Sequence, residues 1–248
     1  SRDSSLLALA DGDVVALRDT TTWEVVAELT GDDAPLLVRE TNRDGRVVNR
    51  GRRQHVTSVA FHPNGRTLAV GSIRNTVALW DVITATVVER KEVSHNAFAT
   101  DLLYSADGRY LLGATSGAGS ALWTDASVEP RFIQRPGHDW REAVSLAFSP
   151  DSGEALIGDG GGRLRIIDAE SLGERVLLAP EFGPDPPEVQ SGLNRVQALA
   201  THPDGARLAG VVSDSSIVVW GMPDYAVEGR VYGYDQGYAN AQYLPSLD

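Results

Sequence analysis

Four turns of one kind recur along the chain at nearly even steps. They read FHPNG at 61–65, YSADG at 104–108, FSPDS at 148–152 and THPDG at 201–205, so Phe61, Tyr104, Phe148 and Thr201 stand 43, 44 and 53 residues apart. Proline fixes φ inside a turn, and glycine or asparagine tolerates positive φ, so each stretch predicts a tight hairpin. An apolar run follows each turn (TLAVGS, YLLGAT, EALIGD, RLAGVV), and then a third run ending in a marked dipeptide (VALWD, SALWT, LRIID, IVVWG). A unit of short strands cannot bury its apolar faces alone. It must stack against the next copy, and this leaves few folds open.

The step of about 40 to 45 residues and the Trp-Asp ending resemble the WD40-repeat β-propeller family over nearly the whole chain. The resemblance implies an all-β fold of four-stranded antiparallel blades around an axis. In HVTSVAFHPNGRTLAVGSIRNTVALWDVITATVVER, strands are expected at 56–61, 67–72, 76–80 and 86–90. Five blades are expected, at 5–29 plus 238–243, 55–90, 95–133, 142–178 and 195–231. The first is shared between the ends of the sequence. Residues 5–29 read as three strands, with Arg18 and Asp19 where Trp80 and Asp81 sit, and the final segment reads as one strand, with Tyr243 placed like Phe61. Joining them in one sheet closes the ring and hides its edges. Part of a larger, seven-bladed or split ring is the other reading. Ser1 in place of an initiator Met fits a segment attached to, or excised from, a multidomain protein.

In this family a typical blade ties its Trp to a Ser or Thr, a His and an Asp by hydrogen bonds. Trp123, Thr115 and His95 occupy those places in the third unit, with Gly117 instead of the Asp. In the second, Trp80 and Ser72 match, but Arg52 and Arg74 take the His and Asp places; the fifth offers Trp220 and Asp214. The fourth has Ile167 and Asp168 for the dipeptide, and His138 is displaced by one residue relative to His95. With every set incomplete, packing of Val, Leu and Ala between blades is expected to supply most of the stability.

Charge narrows the function. Lys plus Arg total 22 against 34 Asp plus Glu, a net charge of −12, which disfavours nucleic acid and anionic membrane surfaces as partners. There is no cysteine, which excludes disulfides and thiolate zinc sites. A soluble, cytoplasmic chain is the expectation. His55, His62, His95, His138 and His202 lack metal-ligand spacing, and His62 and His202 replace the serine of the repeated turn, which places them on hairpin tips. SGAGSA at 116–121 and GDGGGR at 158–163 lack the Gly-Lys-Ser/Thr ending of a phosphate loop and read as turns between second and third strands. No catalytic residue, metal or cofactor is expected.

The expected role is a non-catalytic protein-interaction scaffold or ligand-sensing module, binding a protein or peptide through loops of one face, at about 31–54, 73–76, 134–142, 159–163 and 232–237. Six arginines crowd residues 31–54, and their forked guanidinium groups suit an acidic partner segment. Arg46, Arg50, Arg52, Arg53, Arg74, Trp140, Arg141, Tyr232 and Tyr234 are the candidate contacts, since Trp, Tyr and Arg most often anchor interfaces. The Pro-rich acidic stretch 179–194 reads as an irregular spacer. Two alternatives stand beside this reading. One is a five-bladed glycoside hydrolase with central carboxylates, for which Asp101, Asp159 and Asp168 are the candidates; the other is an architectural part of a split propeller.

Overall fold

The computed structural model describes residues 1, 3–12, 14–30, 37–41, 47–51, 55–73, 75–93, 97–116, 119–133, 143–160, 163–178, 196–212 and 216–232, of which 30, 37–41, 47–51, 175–178 and 232 are described in their backbone alone. These residues hold strands and turns and no helix. The first blade is a three-stranded antiparallel sheet of β1 (Leu6–Asp11), β2 (Val14–Asp19) and β3 (Val25–Thr30). A two-stranded hairpin, β4 (Leu37–Thr41) with β5 (Val47–Gly51), leads to the second blade.

Four four-stranded sheets follow, each laid down in chain order. The second blade is β6 (Val56–Phe61), β7 (Thr67–Ser72), β8 (Thr76–Asp81) and β9 (Thr86–Glu92). The third is β10 (Ala99–Tyr104), β11 (Tyr110–Thr115), β12 (Gly119–Thr124) and β13 (Arg131–Ile133). The fourth is β14 (Ala143–Phe148), β15 (Glu154–Asp159), β16 (Leu164–Asp168) and β17 (Glu174–Leu178), and the fifth is β18 (Val196–Thr201), β19 (Arg207–Val212), β20 (Ser216–Gly221) and β21 (Val227–Tyr232). All five sheets are antiparallel, as the resemblance implies. The strand expected at 238–243 to complete the first blade lies outside the described residues.

Successive side chains of a strand point to opposite faces, and in the second, third and fourth blades each face is covered by another blade. On β11, Leu111 packs toward the second blade and Leu112 toward the fourth; on β12, Leu122 and Trp123 divide the same way. The consequence is a separate apolar cluster for each pair of neighbours. Val15 and Leu17 meet Leu68 and Trp80, and Leu79 and Val93 meet Leu102 and Trp123. Leu112 and Leu122 meet Leu146 and Ile157, and Leu156 and Ile166 meet Leu208 and Trp220. Each tryptophan of the repeated dipeptide therefore faces the blade before its own. Apolar contact between blades is the main core, as the incomplete polar sets predict.

The turns between first and second strands are closed by the residues that recur in sequence. Ser105 Oγ donates to Asp107 at 2.7 Å and accepts from Tyr110 N–H at 3.0 Å, and Ser149 does the same with Asp151 and Glu154 N–H. His62 and His202 stand in these places, and each accepts a backbone N–H at Nδ1, from Asn64 and Asp204. Both do sit on hairpin tips. The tips also lean on one another: Asp107 N–H donates to Ser152 Oγ, and His62 Nε2 lies 3.2 Å from the carbonyl of Gly108. At Gly108, φ is +79° and a Cβ would come within 2.6 Å of the His62 ring, so only glycine fits without a shift.

Candidate interaction surfaces

Where an aspartate ends the strand of the repeated dipeptide, at Asp19, Asp81 and Asp168, it caps the next turn. Asp81 accepts the N–H groups of Ile83 and Thr84 at 2.9 and 3.1 Å, and Arg66 from the preceding turn grips its other oxygen at 2.7 Å. The Thr84 N–H, then Arg66, hold its carboxyl below the ordinary carboxylate range against the opposing effect of burial. Asp19 caps Thr21 and Thr22 in the same way, and Asp168 caps Ser171. These carboxylates are engaged in shaping turns.

The tryptophan makes a different bond from the one the family pattern suggests. Trp123 Nε1 donates to the carbonyl of Glu92 on β9 at 2.9 Å, across the seam to the preceding blade, while the Thr115 hydroxyl donates to Gly119 across its own turn at 2.8 Å. Trp123 and Thr115 are thus not bonded partners. His95, the third member of the expected set, lies outside the described residues.

Lys91 strengthens the same seam. Its side chain is 1% exposed, and Nζ donates to Glu89 and to the carbonyls of Thr124, Asp125 and Ser127 at 2.7 to 3.3 Å. The partner strand β13 spans three residues and pairs with Ser120–Leu122, which leaves the end of β12 without an outer neighbour. The buried ammonium takes the carbonyls just beyond. Further links cross the seams: Val56 N–H to Gly12 O at 2.7 Å between the first and second blades, Thr57 Oγ1 to Ala99 O at 2.5 Å between the second and third, and Ser145 Oγ to Val196 O at 2.9 Å with the Tyr225 hydroxyl to Glu154 between the fourth and fifth.

The carboxylates considered for hydrolysis do not converge. Asp101 on β10 accepts from Ser58 Oγ at 3.3 Å and from Leu102 N–H at 2.9 Å. Asp159 accepts Arg163 N–H at 2.9 Å. On the paired strands β15 and β16, Glu154 lies opposite Asp168 and Gly158 opposite Leu164, so Asp159 and Asp168 stand at opposite ends of one blade. Gly158 and Asp159 belong to β15 rather than to the expected turn, and Gly119 opens β12. Gly158 lies flat against Ser145 and Val196, where a Cβ would come within 2.3 Å of Ser145 Oγ.

The expected contact residues are spread over several elements. Arg50 lies on β5, in register with Val38, so the stretch 31–54 contains a hairpin rather than a plain loop. Tyr232 ends β21, opposite Ser216. Arg46, Arg52, Arg53, Arg74, Trp140, Arg141 and Tyr234 lie outside the described residues, as does the spacer 179–194.

Two clefts between blades were not foreseen in the sequence. One, of about 360 Å³, lies between the fourth and fifth blades beside Asp151, Glu154, Asp168 and Pro223. Its carboxylates are already used: Asp151 by Ser149 and Gly153, Glu154 by Tyr225, Asp168 by Ser171. The other, of about 370 Å³, lies between the second and third blades, with Val93, Pro130 and Phe132 beside Glu92 and Glu129. The sequence signal for it is a glutamate at the end of one outer strand, Glu92, and another two residues before the next, Glu129, which become neighbours once the blades stack.

The WD domain, G-beta repeat model matches residues 46–81 and 189–221. The chain is similar to the Protein LST8 homolog of Drosophila melanogaster, 32% identical over 117 residues, 45% of this chain and 37% of that protein. It is 26% identical to the Nuclear distribution protein PAC1 of Arthroderma otae over 197 residues, 73% of this chain and 42% of that one. The chain thus spans less than half the length of these curated relatives. Among solved structures it is similar to the Cps50 (Swd1) β-propeller domain of Myceliophteria thermophila, with a TM-score of 0.68 and 16% identity over 93% of this chain and 70% of that one. Repeated turns, capping aspartates, stacked antiparallel sheets and these likenesses agree: the chain carries WD40 repeats at 46–81 and 189–221 and has the fold of a β-propeller.

Proposed function

We propose that the chain is a rigid, non-catalytic scaffold that binds another protein through the end of the disc where the blade-to-blade connections gather. One observation carries this reading. Every pair of consecutive blades has its own apolar cluster, so the sheets form a stiff frame. With antiparallel strands in chain order, connections between blades and the turns between second and third strands fall at one end of the frame. Those connections vary widely, from residues 93–98 to residues 179–195, and the one between β3 and β6 carries the hairpin β4–β5. Loops that vary on a fixed frame suit recognition.

Within this reading, Arg46, Arg50, Arg52 and Arg53 grip an acidic partner segment, with Arg74, Trp140, Arg141, Tyr232 at the end of β21 and Tyr234 as further contacts. The test is affinity capture with cross-linking on the intact chain and on a variant carrying Ser at Arg46, Arg50, Arg52 and Arg53. The intact chain is expected to retain partner proteins that the variant loses. Failure of the intact chain to retain any protein overturns the scaffold reading; equal retention by both overturns the arginine assignment.

A further inference from the structure

The cleft between the second and third blades differs from the other in one respect that matters for binding. Glu92 and Glu129 are exposed, and neither side chain has a hydrogen-bond or ion-pair partner among the described residues. Glu92 is fixed in position all the same, because its backbone N–H donates to Val128 O at 3.0 Å and its carbonyl accepts from Trp123. Lys91, next to Glu92 in sequence, is buried and committed to Glu89 and three carbonyls. Two exposed negative charges therefore flank an apolar floor of Val93, Pro130 and Phe132.

We propose that this groove receives a basic, extended segment of a partner protein, with a Lys or Arg side chain laid along Phe132 and Pro130 and its charged head between Glu92 and Glu129. Long cationic side chains bury an apolar stem while the head stays near water and carboxylate, which is the pattern the groove presents. A space of about 370 Å³ stands near the lower end, roughly 300 Å³, of the range for small-molecule sites, so it suits one or two side chains rather than a large cofactor. The net charge of −12 draws a basic segment from a distance. This inference rests on the scaffold reading but uses a surface between the second and third blades, whereas the arginine-bearing connection joins the first and second.

The test is an amide NMR titration of the intact chain with two synthetic octapeptides, one alternating lysine and valine, the other alternating glutamate and valine. The lysine peptide is expected to shift the amides of Val93, Glu129 and Phe132 saturably, and less strongly as salt is raised. The double variant Glu92→Gln, Glu129→Gln is expected to weaken binding about tenfold, the loss typical of a central interface contact. Thr76→Lys, which places a competing cation on the groove wall, is expected to do the same. Glu24→Gln with Glu28→Gln, an equal charge change on the first blade, leaves binding unchanged. Equal binding of the glutamate peptide, unaltered binding by the double variant, or shifts centred on the other cleft each overturn the proposal. Self-association of the intact chain that the double variant abolishes places a second copy in the groove and overturns it too. If partners are captured by the intact chain and equally by the double variant, the groove assignment fails while the scaffold reading stands.

Discussion

Replacing Gly113 by alanine and Trp123 by phenylalanine, singly and together, tests the seam on which the disc depends. A Cβ at Gly113 would lie 2.8 Å from Trp123 Cζ3, 3.2 Å from Cη2 and 3.3 Å from Leu102 Cδ2. Trp123 is fully buried, so the indole has nowhere to retreat. Overpacking of this kind costs about 1–3 kcal/mol, from which the reduced chain entropy of alanine recovers about 0.5. Trp123→Phe removes the bond to Glu92, worth about 1 kcal/mol, and leaves a cavity costing about 1–2 more. Phenylalanine also withdraws the ring edge that opposes a Cβ at residue 113, so in that background Gly113→Ala becomes neutral or slightly stabilising. The double variant is then more stable than the sum of the single losses by about 1–2 kcal/mol, well beyond the ~0.5 kcal/mol within which independent sites add. Urea unfolding of the four proteins followed by circular dichroism measures this coupling. Additive losses would refute the claim that the glycine is there to seat the indole.

Lys91→Met, which keeps the stem and removes the ammonium, leaves the carbonyls of Thr124, Asp125 and Ser127 without their buried donor and costs about 3 kcal/mol in the same assay. A loss below 1 kcal/mol would mean water replaces the lysine at little cost. Burial raises the Asp107 carboxyl, but hydrogen bonds from Ser105 and Arg109 and the guanidinium charge outweigh it and hold it at about 2. Because the folded value is depressed below the ordinary 3.8, its stabilisation is complete above that value and is lost as pH falls toward 2. Asp107→Asn is therefore expected to show a shallower fall in melting temperature between about pH 4 and 2 than the parent, and an unchanged slope refutes it. If Tyr238–Tyr243 supplies the inner strand of the first blade, deleting residues 238–248 exposes β1 and lowers the melting temperature, with hydrogen exchange quickening first in Leu6–Asp11. Identical exchange in both chains contradicts that closure.

Much of the fold is legible in the sequence because it is written several times. The strands expected at 56–61 and 67–72 have those bounds, and those expected at 76–80 and 86–90 run on to Asp81 and Glu92. The extension at Asp81 comes from its capping bonds, which hold it in line with Thr67 and Thr86. The bonds across seams are less legible, because they depend on how one blade sits against the next. Nothing in residues near Trp123 points to the Glu92 carbonyl, and the charged run ERKE reads as a solvated edge. Alternation misleads at Lys91 too, since the β-bulge between Leu79 and Trp80 turns Val87 toward the first blade while Glu89 and Lys91 lie on the face toward the third. The arginine-rich stretch shows the opposite limit: its composition is conspicuous, yet composition does not say which side chains converge.

The tips that lean on one another constrain how such a chain can vary. Residues 62–66, 105–109, 149–153 and 202–206 each join first and second strands by five residues. A sixth in any of them would lift that tip off its neighbour, as with His62 over Gly108 or Pro150 against Gly205. Insertions are therefore channelled to the opposite rim, where a lengthened connection disturbs no adjacent turn, and new specificities can arise there while the base of the disc keeps its measure.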